Sequence, residues 1–233
     1  MATVNPGASD ALDATGTTAT ALARETRSLD DRLTLLQARM VYIALAFGLA
    51  CFWFGLVYLQ LINENGMWKP PGVHQPTLLV GLFEMGLIQA SGIVYFWGQW
   101  AGLYQRKFNI LTLGLWVAAL LGLASFGFHI YELHQPGFNS LAPPLPGAKY
   151  PAVHVSQLQT GYTSVFTVTE GVFTILLGAS LFVLFGIANR ARLGRFAKSA
   201  VAVEAFGEFW GFMAAVALLN FLALYVQPFF HSG

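Results

Sequence analysis

The sequence predicts an all-α integral membrane protein, a bundle of five transmembrane helices. The chain has 233 residues, of which 56% are hydrophobic and only 10% charged, against about 25% charged in a typical soluble domain. Five long stretches lack lysine and arginine, and each reaches the roughly 20 apolar residues that a helix needs to cross about 30 Å of hydrocarbon. They are approximately Val41–Ile62, Thr77–Tyr104, Ile110–Leu133, Tyr162–Ala188 and Val201–Val226. This composition excludes a soluble enzyme, and the net charge of +1 does not indicate a nucleic-acid binder.

The basic residues between these spans are distributed unevenly, and this predicts an orientation. Ten of them lie before the first span, between the second and third spans, or between the fourth and fifth. Only Lys69 and Lys149 lie in the other connecting segments. Because cytoplasmic segments carry the excess of lysine and arginine, we expect a cytoplasmic N-terminus and an outer C-terminus.

The sequence as a whole divides into four predicted regions. Residues 28–40 carry leucines and a methionine at helical spacing, which favours an amphipathic helix at the membrane surface, with a partner-binding helix as the alternative. The proline-rich stretch 134–161 is expected to be an irregular outer segment that covers the bundle. The predicted regions are a disordered tail at 1–27, the interfacial helix at 28–40, the membrane bundle at 41–228 and a C-terminal tail at 229–233.

Five acidic residues lie inside predicted spans, where a charge is costly. Glu204 and Glu208 share one helical face near the cytoplasmic start of the fifth span and are expected to pair with Arg190 or Arg192. The other three are Glu84, Glu132 and Glu170.

Glu84 and Glu170 enter their spans from the same predicted side and at comparable depth. No span offers a basic partner, so each is expected to be protonated or bonded to a polar neighbour such as Gln89, Thr167 or Thr169. A bond between helices is the main interpretation, and a proton relay is the alternative.

The sequence predicts no catalytic, cofactor-binding or metal-binding residue. Cys51 is the only cysteine and His129 the only histidine clearly within a span, whereas haem or copper sites need several such ligands at one depth. In the third span, Gly114, Ala118 and Gly122 form a small-residue seam that allows another helix to approach closely. The candidate buried polar and packing residues are Glu84, His129, Tyr131, Glu132, Glu170, Glu204, Glu208 and Trp210.

Short motifs in the last three spans carry a resemblance to a known family. They are Phe128-His129-Ile130-Tyr131-Glu132-Leu133-His134, Ser164-Val165-Phe166, Thr169-Glu170-Gly171-Val172-Phe173, Arg190-Ala191-Arg192-Leu193-Gly194-Arg195-Phe196 and Phe209-Trp210-Gly211-Phe212. In order and spacing they resemble subunit III of the haem–copper oxidases in its five-helix form, over about residues 41–228. The sequence departs from the family at Glu170, Phe173 and Gly211, where the family has histidines.

The resemblance implies an accessory subunit without redox centres in an aerobic respiratory complex. Such a subunit packs beside the catalytic subunit I and other membrane subunits of the bacterial cytoplasmic membrane, binds structural phospholipid, and supports proton and oxygen access. Haem and copper are expected only in the partner subunits. The electron donor, cytochrome c or quinol, stays open.

Two further interpretations stay open beside this one. One is an accessory subunit of a nitric oxide reductase or of another membrane redox complex. The other is a small proton-coupled transporter that uses Glu84 and Glu170.

Overall fold

The computed structural model describes residues 29–62, 76–134, 161–196 and 200–227, and within these ranges the chain is helical with no strand. The helices are α1 Leu29–Ile62, α2 Leu78–Leu103, α3 Phe108–Leu133, α4 Gly161–Arg192 and α5 Val201–Asn220, and α5 continues as a π-helical turn, Phe221–Val226. All five are long and apolar enough to cross a membrane. The predicted all-α bundle of five membrane-spanning helices is therefore confirmed.

Several predicted regions lie wholly or largely outside the described residues. These are the tail at 1–27, the tail at 229–233 and nearly all of the proline-rich stretch. The predicted surface helix is described from Leu29 onward, and it continues without a break into the first span as α1. At about 1.5 Å per residue, these 34 residues are about 50 Å long.

Successive helices run in opposite directions, so the bundle has two ends. At one end α1 finishes and α2 starts, α3 finishes and α4 starts, and α5 finishes. We call this the Ile62 end, and the opposite end, which holds the turn between α2 and α3, the Arg106 end. A glycine in the left-handed conformation, Gly194 with φ +68°, follows the last turn of α4 at the Arg106 end.

The helices α2 and α3 form a tight hairpin because glycines meet where they cross. A β-carbon added to Gly114 would lie 2.8 Å from the Cα atom of Gly98, well inside carbon–carbon contact distance. Farther along α3, a β-carbon on Gly122 would lie 2.9 Å from both Leu181 and Trp210. The predicted close approach of another helix is thus confirmed at Gly114, whereas at Gly122 the space is filled by side chains from α4 and α5.

The core lies between α2, α3, α4 and α5, with Trp210 at its centre. Trp210 is fully buried, and its indole N–H donates to Ser91 Oγ at 3.0 Å. The Ser91 hydroxyl in turn donates to the backbone oxygen of Ala118 at 2.7 Å. This chain of hydrogen bonds connects α5, α2 and α3, so it fixes how the three helices are rotated against one another.

The first helix is packed differently, since polar contacts hold it against α5 along its length. In the most apolar 18-residue stretch of α1, only 11% of the residues are buried, against 33–44% in the corresponding stretches of the other four helices. Polar side chains nevertheless connect α1 to α5, from Arg39 with Glu208 near one end to Gln60 with Gln227 near the other. Between them, Trp53 Nε1 donates to Asn220 Oδ1 at 3.0 Å, and the Tyr42 hydroxyl donates to the backbone oxygen of Ala205.

The partner of Glu208 differs from the sequence-based expectation. Its carboxylate accepts from Nε and Nη2 of Arg39 at 2.8 and 2.6 Å, whereas Arg190 or Arg192 was expected. The reason is topological, because α1 runs parallel to α5 and reaches the first turns of α5 from the side. The prediction considered only the segment adjacent to α5 in sequence.

Candidate functional site

The main polar feature inside the bundle is a buried cluster of acids around one histidine. His129 on α3 places Nδ1 3.2 Å from Glu170 Oε2 on α4 and 3.5 Å from Glu84 Oε2 on α2. All three side chains are 6% exposed or less. The ring of Phe173 packs edge-on against the imidazole, with ring centroids 5.1 Å apart. We call Glu84, His129, Glu132 and Glu170 the acid–histidine cluster.

Glu132 completes this cluster from the same helix as His129. It lies one turn farther along α3 and is 4% exposed, and its Oε2 has no hydrogen-bonding partner among the described residues.

The phenol of Tyr162, fully buried on α4, donates to the backbone oxygen of Leu224 at 3.0 Å and fixes α4 against the end of α5 beside the cluster.

The π-helical turn of α5 brings a tyrosine to the cluster. The Tyr225 hydroxyl donates to Glu84 Oε2 at 3.1 Å. The ring lies directly against Gly81, where any β-carbon would overlap it. Single π-helical turns occur often at functional sites because they rotate the following side chains relative to an α-helix. Here the turn and Gly81 together place a hydrogen-bond donor on the buried carboxylate.

A second hydrogen bond sets the position of Glu84 relative to α3. Ser125 Oγ donates to the backbone oxygen of Glu84 at 3.0 Å, one turn before His129. This contact fixes the register of α2 against α3, so Glu84 and His129 lie at the same level of the bundle.

A small cleft opens onto the acid–histidine cluster. Its polar lining comprises Glu84, His129, Glu170, Asn220 and Tyr225, and its apolar lining Gly81, Met85, Phe173, Ala217 and Phe221. The cleft admits about one water molecule. Glu84 Oε1, His129 Nε2 and Asn220 Nδ2 are buried and have no hydrogen-bonding partner among the described residues. Unpaired buried polar atoms are costly, and all three belong to residues that line the cleft.

The structure brings three of the predicted residues together, places a fourth one helical turn away and leaves the other four elsewhere. Glu84, His129 and Glu170 meet near the Ile62 end, and Glu132 is buried one turn after His129 on the same helix. The others do not join them: Trp210 is in the core, Glu204 and Glu208 are half-buried near the Arg106 end, and Tyr131 is 58% exposed.

The expected polar neighbours of Glu84 and Glu170 were wrong. Gln89 donates to the backbone oxygen of Ala214 at 2.6 Å instead, and the hydroxyls of Thr167 and Thr169 have no hydrogen-bonding partner among the described residues. Helical rotation decides this outcome, because residues at the right depth need not lie on the facing side of their helix.

Sequence reasoning missed two members of the site, Tyr225 and Asn220. Both lie in the last span, and Asn220 is the only asparagine inside any predicted span. An amide in an apolar run needs a partner inside the protein, and this was the available signal. Nothing comparable marks Tyr225, since its position depends on the π-helical turn.

The chemistry open to this arrangement is that of protons and hydrogen bonds. Within the described residues, no group of three or more histidine, cysteine, aspartate or glutamate side chains is arranged to hold a metal ion. Carboxyl and imidazole groups in contact can accept, donate and share protons. The cluster is therefore a candidate proton-holding site.

No protein-family model matches the sequence, and no curated protein matches it.

Proposed function

We propose that this chain is a non-catalytic accessory subunit of a membrane oxidoreductase complex, similar to subunit III of haem–copper terminal oxidases. In this role it packs beside a catalytic subunit of the bacterial cytoplasmic membrane, which carries the haem and copper, and it binds structural phospholipid. The order and spacing of the motifs in its last three spans support the proposal.

The observation that carries the proposal is the surroundings of His129. The resembled family has histidines at positions 170 and 173, and this chain has Glu170 and Phe173 there. Both substituted side chains contact the imidazole of His129. At this place in the bundle the chain has an imidazole from α3, and the two residues that replace the family's histidines lie against it. We interpret this as the buried polar site of a divergent member.

The outward face of α1 is the surface that we assign to the catalytic subunit. Its large apolar side chains are exposed, including Phe47 at 72% and Phe54 at 74%, while its polar side chains are used against α5. In many members of the resembled family, an acid near the start of the first span faces subunit I, whereas this chain has no acidic or basic residue from Met40 to Ile62.

Purification of the tagged chain under gentle solubilisation tests the proposal. We expect a large, histidine-rich membrane subunit with haem to copurify, and the isolated chain to be colourless. Purification of the chain without a haem protein contradicts the proposal, and so does a Soret band that stays with the chain after its partners are stripped.

Photo-crosslinking then locates the contact. A photoreactive amino acid at position 47 or 54 should crosslink to the haem-bearing subunit. The matched control is position 182 on α4, where Phe182 is 83% exposed on another helix. Equal crosslinking from all three positions would refute the assignment of α1.

The meeting of Glu84 and Glu170 at His129 favours one second candidate, a small proton-coupled transporter. Liposomes that contain only this chain separate the two functions. An accessory subunit gives no proton flux, whereas a transporter gives a flux that Glu84→Gln and Glu170→Gln abolish.

A further inference from the structure

We propose that Glu84, His129 and Glu170 form a proton-exchange site inside the bundle, which is reached through the cleft that these residues line. A water molecule in the cleft gives one proton to the site and takes another from it in the same exchange, so the charge of the site does not change. The inference concerns proton binding by this chain alone, so it does not depend on an accessory role or on transport across the membrane.

The first argument is charge balance. The acid–histidine cluster has three carboxyl groups and one imidazole, and none of the five spans supplies a lysine or arginine. A net charge in such surroundings costs at least a few kcal/mol. The cluster is neutral in two ways: with three protonated carboxyls around a neutral imidazole, or with one carboxylate beside an imidazolium. These forms hold the same number of protons.

The second argument is the geometry at Nδ1 of His129. This nitrogen lies 3.2 Å from Glu170 Oε2 and 3.5 Å from Glu84 Oε2, and Glu170 Oε2 has no hydrogen-bonding partner among the described residues. A small realignment of either carboxyl group therefore lets it share a proton with the imidazole. The two neutral forms therefore interconvert by one short transfer between oxygen and nitrogen. A carboxyl group that faced only apolar side chains would lack this second position for its proton.

The third argument is a cleft lined by residues whose buried polar atoms lack hydrogen-bonding partners among the described residues. Asn220 is 2% exposed and lines the cleft, and its Nδ2 donates to no other described residue. Glu84 Oε1 and His129 Nε2 are unpartnered in the same way. A buried water typically makes about three hydrogen bonds, and the cleft, which these three residues line, admits about one water molecule. In the proposed exchange, this water carries protons to and from the carboxyl groups.

The titratable groups that face the cluster come from four helices. They are Glu84 of α2, His129 and Glu132 of α3, Tyr162 and Glu170 of α4, and Tyr225 in the turn after α5. Tyr225 donates to Glu84 Oε2, which stabilises the carboxylate when Glu84 releases its proton. Its ring needs the space at Gly81, so this glycine controls whether the hydrogen bond forms.

Infrared spectroscopy of the full chain in lipid tests the site directly. A protonated carboxyl group has a C=O stretching band that an ionised carboxylate lacks. We expect such a band at neutral pH and a shift of that band in D₂O, because the cleft allows exchange. Glu84→Gln and Glu170→Gln should each lower its intensity, and the double variant should lower it further.

Two matched controls separate this result from a general disturbance. Glu208→Gln should leave the band unchanged, because Glu208 is ion-paired with Arg39 and does not contribute a protonated carboxyl. Gly81→Ala should displace Tyr225 and shift the frequency of the Glu84 band, while Gly86→Ala, with nothing within 4 Å of its new methyl group, should not. The Gly81 comparison keeps both acids, so it remains informative if a glutamine variant does not fold.

Three results would overturn the inference. They are the absence of the band at neutral pH, a band that both glutamine variants leave unchanged, and a band that does not shift in D₂O. A band that does not shift in D₂O would show that the carboxyl protons form hydrogen bonds between helices and do not exchange with water.

Discussion

The substitution of Gly114 by alanine provides the sharpest test of the packing between α2 and α3. In the structure, the new β-carbon lies 2.8 Å from the Cα atom of Gly98 and 3.2 Å from the backbone oxygen of Val94. Carbon atoms prefer a separation of about 3.5–4.0 Å, so the two helices must move apart by about 1 Å. Since the contacted atoms belong to the backbone, no side chain can rotate to relieve the overlap.

The magnitude follows from a comparison with a glycine on the same helix. Gly127 also lies in α3, and an added β-carbon there has nothing within 4 Å. Both substitutions gain the same helix propensity, up to about 1 kcal/mol, so this contribution cancels between the two variants. The remaining difference is the cost of overpacking, typically about 1–3 kcal/mol. We therefore expect Gly114→Ala to be less stable than Gly127→Ala by that amount.

The assay is equilibrium unfolding of the full chain in mixed micelles, followed by tryptophan fluorescence. Trp210 reports on the core, because its indole is fully buried and its hydrogen bond to Ser91 is lost on unfolding. Equal unfolding free energies for the two alanine variants, within about 0.5 kcal/mol, would refute the close crossing of α2 and α3.

Two further predictions concern polar contacts between helices. Trp210→Phe should lower the unfolding free energy by at least the net worth of one hydrogen bond, about 0.5–1.5 kcal/mol, because Ser91 loses its donor. Since this variant removes the fluorescent reporter, unfolding is followed by far-ultraviolet circular dichroism, and an unchanged free energy would contradict the contact. Arg39→Glu and Glu208→Arg should each loosen α1 from α5, and the double variant should restore the contact, since the ion pair is re-formed in reverse. Protease protection of α1 checks this at low salt, and a double variant as sensitive as the single ones would count against the pair.

The number and approximate limits of the helices could be read from the sequence, because the thickness of a bilayer leaves few alternatives. Every predicted span coincides with a helix of the structure to within a few residues, apart from extensions of α1 and α4. The seam at Gly114 and Gly122 was also predictable, since small residues at intervals of four lie on one helical face.

The composition of the acid–histidine cluster could be predicted only in part. Distance along a span gives depth, so Glu84 and Glu170 were correctly expected at a similar level. Depth does not determine which way a residue faces, and for this reason the place of His129 between the two acids could not be derived. The position of Tyr225 depends on the π-helical turn, which the sequence pattern does not reveal.

The attachment of α1 to α5 has a consequence for biosynthesis. A ribosome delivers the N-terminal helix to the bilayer first, yet the partners of Arg39, Tyr42 and Trp53 follow 163–169 residues later. Until α5 is made, these side chains therefore lie in lipid or beside the insertion machinery without their partners on α5. A nascent chain released before its last helix would expose them, and this would let a quality-control protease distinguish unfinished copies from complete ones.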